Sequence, residues 1–200
     1  GVKINIINRA TEPEAAYSFY FEGGLYSYVQ YLTRGKNRLQ DNVFYASGNK
    51  NDVQVEGAFI YTDEYEGMEQ SFANNIVTNE GGTHLTGFRT AMTPVFNDYV
   101  RKNNILKDND DNLTGEDLRE GLSEVGSIKN REPQFEGQTK GKLGNPEAKS
   151  AVEGVVTEAL TDFLERNPND ARAIVDKCIL SHKARKAAKA ARETVLRKGI

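Results

Sequence analysis

A lysine set among glycines, with an amide two residues before it, is a short arrangement that can hold an anion. Residues 134–145, QFEGQTKGKLGN, contain one: Lys140 lies between Gly137 and Gly141, and Gln138 precedes it. The ammonium brings three donors and a full charge, and the amide brings two more donors. Glycines leave the backbone free to move around a small ligand. Such a group can bind a phosphate or stabilise charge on a phosphoryl group in transfer. The same residues also make an ordinary solvated loop, so both readings stand at this point. Arg89, in GFRTAM, reads from its neighbours as a solvent-facing arginine on an amphipathic helix.

Other reactive side chains are sparse. His84 and His182 lie far apart and lack the companions of a metal site, and His84 is expected to be structural. The single Cys178 excludes an internal disulfide and a cysteine-rich zinc site, and is expected to pack as a small apolar residue. KDNDDN has the acids of a calcium loop without its glycine or its distal glutamate, so it reads as a polar loop. No metal site is expected.

The elements that must position these residues change character along the chain. VKINIIN and AYSFYF alternate as strands around the loop RATEPEA. Leu25, Tyr28, Val29 and Leu32 have helical spacing. DNVFYASG, DVQVEGAFIYT and EQSFANNIV follow as strands, with SGNKND and DEYEG expected to join neighbours as hairpins. From residue 84 the period becomes helical: Leu85, Phe88, Ala91, Met92, Val95, Phe96 and Tyr99 share a face to about Lys102. Gly81 and Gly82 allow the turn before that helix, and Thr83 is placed to cap it. Thr114, three residues before Asp117, predicts the N-cap of a short helix reaching Glu120. GLSEVGSIK reads as a strand weakened by Gly126.

Asn145 and Pro146 form a cap and first-turn pair for a helix that buries Val152, Val156, Ala159, Leu160 and Phe163. ERNPND interrupts it, and Pro168 starts a last helix with Ile174, Val175, Cys178 and Ile179 on its apolar stripe. Beyond His182 that helix is rich in Ala, Lys and Arg, which favours helix but buries little. The reading is an α+β fold with a protruding C-terminal helix.

Composition bounds the function. An apolar share of 38%, with 9 Phe and 9 Tyr, suffices for the core of one domain. No apolar run approaches the roughly 20 residues of a membrane span, and GVKINIINRA has no signal-peptide pattern. That Met-less, strand-like start is expected to be a segment from within a longer chain. A net charge of -3 argues against a general nucleic-acid coat protein. The charge is nevertheless uneven: Lys183, Arg185, Lys186, Lys189, Arg192, Arg197 and Lys198 near the end face one acid, Glu193.

Five stretches in order, FEGGLYSYVQYL, NEGGTHLTGFRTAMT, DNLTGEDLREGL, PQFEGQTKGKLGN and HKARKAAKAARE, resemble the B subunit of bacterial DNA gyrase, a type IIA topoisomerase. The resemblance covers essentially the whole chain. Gly126, where the family usually has an aliphatic residue, and Lys186 and Lys189 depart from its pattern. The resemblance implies a transducer domain of ribosomal protein S5 domain 2-like fold, with a left-handed βαβ crossover and a long C-terminal helix. Residues 1–10 would then be the last strand of a GHKL ATPase domain, 11–180 the transducer, and 181–200 a basic connector helix toward the TOPRIM region.

The resemblance also implies site roles. Gln138 and Lys140 would contact the γ-phosphate of ATP bound mainly by the ATPase domain, with Lys140 as catalytic helper and sensor. Arg89 would line the cavity through which captured DNA passes. The basic end could be a plain connector or a second DNA-facing surface, with connector preferred. ATP, and Mg2+ in the whole enzyme, would be the cofactors, with no metal site in this chain. Partners would be DNA without sequence preference, the gyrase A subunit and a second B subunit in an A2B2 assembly. Location would be cytoplasmic, with no membrane partner. The implied function is coupling ATP binding and hydrolysis to DNA strand passage and negative supercoiling, the isolated chain being inactive. Two alternatives remain: the topoisomerase IV B-subunit transducer, which decatenates, and a stand-alone, non-enzymatic DNA-binding module.

Overall fold

A computed structural model describes residues 2–198; Gly1 of the opening strand segment, Gly199, Ile200 and the Lys198 side chain of the basic end lie outside the described residues. The alternating opening segments form β1 (Ile4–Asn8) and β2 (Ala15–Phe19), an antiparallel pair with Ile4 opposite Phe19. They stand apart from the main sheet, and Ile4, Ile6, Ile7, Tyr17 and Phe19 are exposed. The predicted short helix follows as α1 (Leu25–Leu32).

β3 (Phe44–Lys50) and β4 (Val53–Tyr61) form the expected hairpin, with Lys50 opposite Val53. Its turn residues Asn51 and Asp52 have φ of 53° and 59°, a region Asn and Asp enter more readily than other side chains. β4 is covered on both faces, which explains why GAFIY is continuously apolar. Phe59 and Tyr61 enter one apolar cluster, Ala58 and Ile60 the other.

DEYEG does not make the hairpin its composition suggests. β5 (Met68–Ala73) and β6 (Ile76–Val77) pair with each other around Asn74 and Asn75, so EQSFANNIV is two strands rather than one. The chain then runs through α2 (Thr83–Lys102) and α3 (Gly115–Arg119) before β7 (Leu122–Lys129) inserts between β4 and β5. β7 is antiparallel to β4, with Tyr61 opposite Leu122, and parallel to β5, with Met68 opposite Ser123. The final order is β3-β4-β7-β5-β6. The physical reason is that β7 is apolar on both faces: Leu122 and Ile128 join one cluster and Val125 the other. That strand belongs in the centre. Gly67 also lies against the start of β7, where a Cβ would come within 2.3 Å of the Arg119 carbonyl oxygen. Gly126 is tolerated in this strand, facing Gly57. The parallel neighbours β5 and β7, linked through α2, form a βαβ crossover.

After β7 the chain makes a small hairpin, β8 (Phe135–Glu136) and β9 (Lys142–Leu143), then α4 (Pro146–Arg166) and α5 (Pro168–Lys198). α2 and α4 cover one face of the sheet, burying Phe88, Ala91, Met92, Phe96, Val152, Val156 and Leu160 as their spacing predicts. Gly87 lets the two helices meet closely, since a Cβ there would lie 2.4 Å from the Lys149 carbonyl oxygen. α1 covers the other face through Val29. Ala171, Ile174, Val175 and Cys178 fix the first half of α5, whereas residues 186–197 are exposed throughout.

The expected cap residue stands at two helices of three, and at one of them it makes the capping bonds. Thr114 and Asp117 form a full capping box on α3. Gly82, not Thr83, occupies the cap of α2, and the Thr83 hydroxyl is buried without a partner. Asn145 holds the cap position of α4 but makes no capping bond. Its side chain instead accepts from Gln134 N at 2.6 Å and donates to Glu132 O at 3.0 Å, tying down the β8–β9 hairpin.

Candidate functional site

The Gln138–Lys140 segment is the tip of the β8–β9 hairpin. Glu136 pairs with Lys142 across its base, and residues 137–140 are exposed. Gly137 has φ 75°, and Lys140 itself has φ 53°. A lysine in this left-handed region costs roughly 1–2 kcal/mol that glycine would avoid. No ion pair forms at Lys140 among the described residues, whereas neighbouring Lys142 reaches Glu136 at 3.0 Å.

The hairpin is tied to the start of α2. Leu143 N donates to Gly81 O at 3.1 Å, and Glu80 N donates to Gly141 O at 2.9 Å. Gly82, with φ 138°, could carry no side chain, because a Cβ would sit 2.4 Å from the Leu143 carbonyl oxygen. The loop carrying Lys140 and the helix carrying Arg89 therefore share a backbone junction.

Arg89 sits two turns along α2 and is not merely solvent-facing. Its Nε donates to Glu69 Oε1 at 2.9 Å, and Nη2 donates to Oε2, a bidentate pair between α2 and β5. The hydrogen bonds from Arg89 to Glu69 hold the guanidinium above its ordinary pKa. Arg89 lines an open groove with Glu69, Glu80, Thr86, Glu136 and Lys142. Gln138 and Lys140 do not line this groove; they stand beyond it at the hairpin tip.

Two buried titratable groups lie on α2 and on β7. Burial pushes the His84 imidazole down to about 4, and its Nε2 lies 3.1 Å from Thr78 Oγ1. His84 is buried, and its Nδ1 has no hydrogen-bond partner among the described residues. Glu124 on β7 is buried, and neither carboxyl oxygen has a hydrogen-bond partner. Burial, reinforced by Glu69, pushes the pKa of this carboxyl well above the usual range. Sequence reading missed it, although a signal existed. Leu122, Glu124, Gly126 and Ile128 alternate onto one face, and Gly126 leaves the room that Glu124 fills, its Oε1 lying 2.8 Å from a Cβ there. Cys178 is buried, as expected, and burial pushes its thiol up to about 12.

Among the described residues, no group of three or more His, Cys, Asp or Glu side chains is placed to hold a metal ion. No helix there is long and apolar enough to cross a membrane. Gln138 and Lys140 present an amide and an ammonium side by side at an exposed hairpin tip.

Comparison with known proteins gives one consistent result. Residues 24–194 match the family described as DNA gyrase B. The B subunit of DNA gyrase from Streptococcus pneumoniae is 51% identical over 198 residues, which is 99% of this chain and 31% of that protein. The chain thus spans about a third of that relative. The 43K ATPase domain of Thermus thermophilus gyrase B, solved with an aminocoumarin, superposes with a TM-score of 0.84 at 39% identity, covering 96% of this chain and 51% of that one. The topoisomerase IV ATP-binding domain of Francisella tularensis, solved with a small-molecule inhibitor, gives a TM-score of 0.74 at 28% identity, covering 92% and 49%.

Proposed function

Since this chain belongs to the DNA gyrase B family, we propose that it is the transducer region of that protein, coupling ATP turnover to DNA strand passage. The reading assigns it the S5 domain 2-like fold with a left-handed βαβ crossover. Residues 1–10 belong to the ATPase domain, 11–180 to the transducer and 181–200 to the connector toward TOPRIM. The gyrase assignment is favoured over topoisomerase IV because the gyrase relative is both closer in sequence and closer in fold.

One observation carries the proposal. Lys140 is an exposed ammonium with no ion pair among the described residues, held at the hairpin tip in a backbone conformation that lysine rarely adopts, on a loop fixed to α2. Lys140 and Gln138 fit the terminal phosphate of ATP, which supplies the phosphoryl group when bound with Mg2+, mainly outside this region. Lys140 places positive charge against that phosphate and stabilises the charge that grows as it leaves. Gln138 donates to a phosphate oxygen or orients water. When the phosphate departs, the contact is lost, and the hairpin passes the change to Gly81 and Gly82 at the head of α2. Arg89, farther along α2, meets DNA phosphates without reading sequence. The gyrase A subunit, present twice, and a second B subunit complete the cytoplasmic A2B2 enzyme, and the isolated chain turns over no ATP.

The test is Lys140→Ala in the full-length protein. ATP turnover should fall by about 100-fold or more, the usual effect of removing one transition-state donor. Wild-type turnover and supercoiling would overturn the phosphate role.

A further inference from the structure

The exposed half of α5 leaves the domain beside a single buried acid. Asp117 is 0% exposed and lies in the first turn of α3. Its carboxylate accepts from Thr114 N at 2.8 Å, half of the capping box, and also from Thr114 Oγ1 at 3.0 Å. From α5 it accepts His182 Nδ1 at 2.9 Å, Arg185 Nε at 2.8 Å and Arg185 Nη2 at 3.0 Å. Burial would raise its pKa, but the hydrogen bonds from Arg185, Thr114 and His182 win and hold it well below the carboxylate range. Two flanking ion pairs run between the same two segments: Lys177 to Glu120 at 3.1 Å and Lys186 to Asp111 at 2.6 Å.

These contacts divide the helix by chemistry. The apolar packing of α5 runs to Ile179, and beyond it His182 and Arg185 pair with Asp117 and Lys186 pairs with Asp111. Past that point every side chain to Arg197 is exposed. A flat guanidinium bound at two atoms by a buried carboxylate fixes direction as well as distance, which a single ammonium on a surface acid does not. The stretch from Arg185 to Arg197 is about 18 Å of helix at 1.5 Å per residue. A small rotation at the Asp117 contact therefore becomes a displacement of several ångströms at the far end.

We infer that Asp117 is a positioning residue which, through Arg185 and His182, sets the direction in which the exposed half of α5 leaves the domain. Its place on α3, between α2 and β7, makes it the point where movement of the α2 side enters that helix. This last step rests on the transducer reading; the positioning itself does not.

The experiment measures the distance between nitroxide labels at Glu158→Cys on α4 and Ala191→Cys on α5, in this chain. Both sites are exposed, and buried Cys178 stays unlabelled. The parent should give one narrow distance distribution. Arg185→Gln should broaden it at least two-fold, and Arg185→Lys should fall between the two. Asp117→Asn, which leaves the Thr114 cap of α3 in place, should also broaden it and serves if Arg185→Gln folds poorly. A distribution superimposable on the parent in a folded variant overturns the positioning role. In the full-length protein with its partner, Arg185→Gln should leave basal ATP turnover unchanged and lower supercoiling per ATP several-fold. A broadened helix with undiminished supercoiling would overturn transmission through α5, while Lys140→Ala tests the phosphate role separately.

Discussion

Burial raises the pKa of Glu124 in the fold, and that shift makes the stability of the domain depend on pH. In the unfolded chain this carboxyl titrates near its ordinary value of 4.5, whereas in the fold its pKa is raised. Between those two values the folded form binds the extra proton, so stability falls as pH rises through the window and levels off above the folded pKa. Glu124→Gln, neutral in both states, should melt higher than the parent at pH 8 and lose this part of the pH dependence. Thermal melts from pH 4 to 9 that run parallel for the two proteins would contradict it. Glu69 acts on both Glu124 and Arg89, pairing with the arginine that the proposed function sends to DNA. In the full-length protein, Arg89→Ala should keep basal ATP turnover and reduce its stimulation by DNA. Stimulation unchanged across several salt concentrations would count against that role. Sequence pointed to Gln138, Lys140 and Arg89, but not to Glu69, because that ion pair joins two elements whose neighbourhood only the sheet order creates.

Helical periodicity read the elements well wherever a single face is buried. The stripes of α2 and α4 were legible because 3.6-residue spacing needs no knowledge of the partner, only that one face meets a core. Leu160, fully buried between α4 and the sheet, is the clearest product of that logic. Leu160→Ala should cost about 2–5 kcal/mol of unfolding free energy by denaturant titration. Local signals failed where the answer was not local. DEYEG carries turn residues, yet the strand beside β4 comes from residues 122–129, and nothing near DEYEG announces it. Asn145 and Pro146 marked the start of α4 correctly, but the asparagine side chain went to the hairpin behind it. A cap residue with a competing backbone partner looks the same in sequence as one without.

At the scale of the whole molecule, the chain divides into a packed body and two exposed extensions, the β1–β2 pair and the far half of α5. Ending the chain at Lys186 should leave the thermal midpoint unchanged, because residues 187–197 bury nothing. A fall of several degrees would show that this end packs on the body. The body has its own ordering in time. β7 occupies the middle of the sheet although it is the last of its five strands to be made. At about 5–20 residues per second, the roughly seventy residues from the end of β4 to the end of β7 take about 4–14 s to synthesise. Throughout that interval the GAFIY edge of β4 has no neighbour on one side, and β5 has none on the side that faces the gap. The nascent protein thus carries an open apolar strand edge for seconds, the kind of surface that chaperones engage and that aggregation exploits. The late strand that completes the sheet also ends that vulnerability.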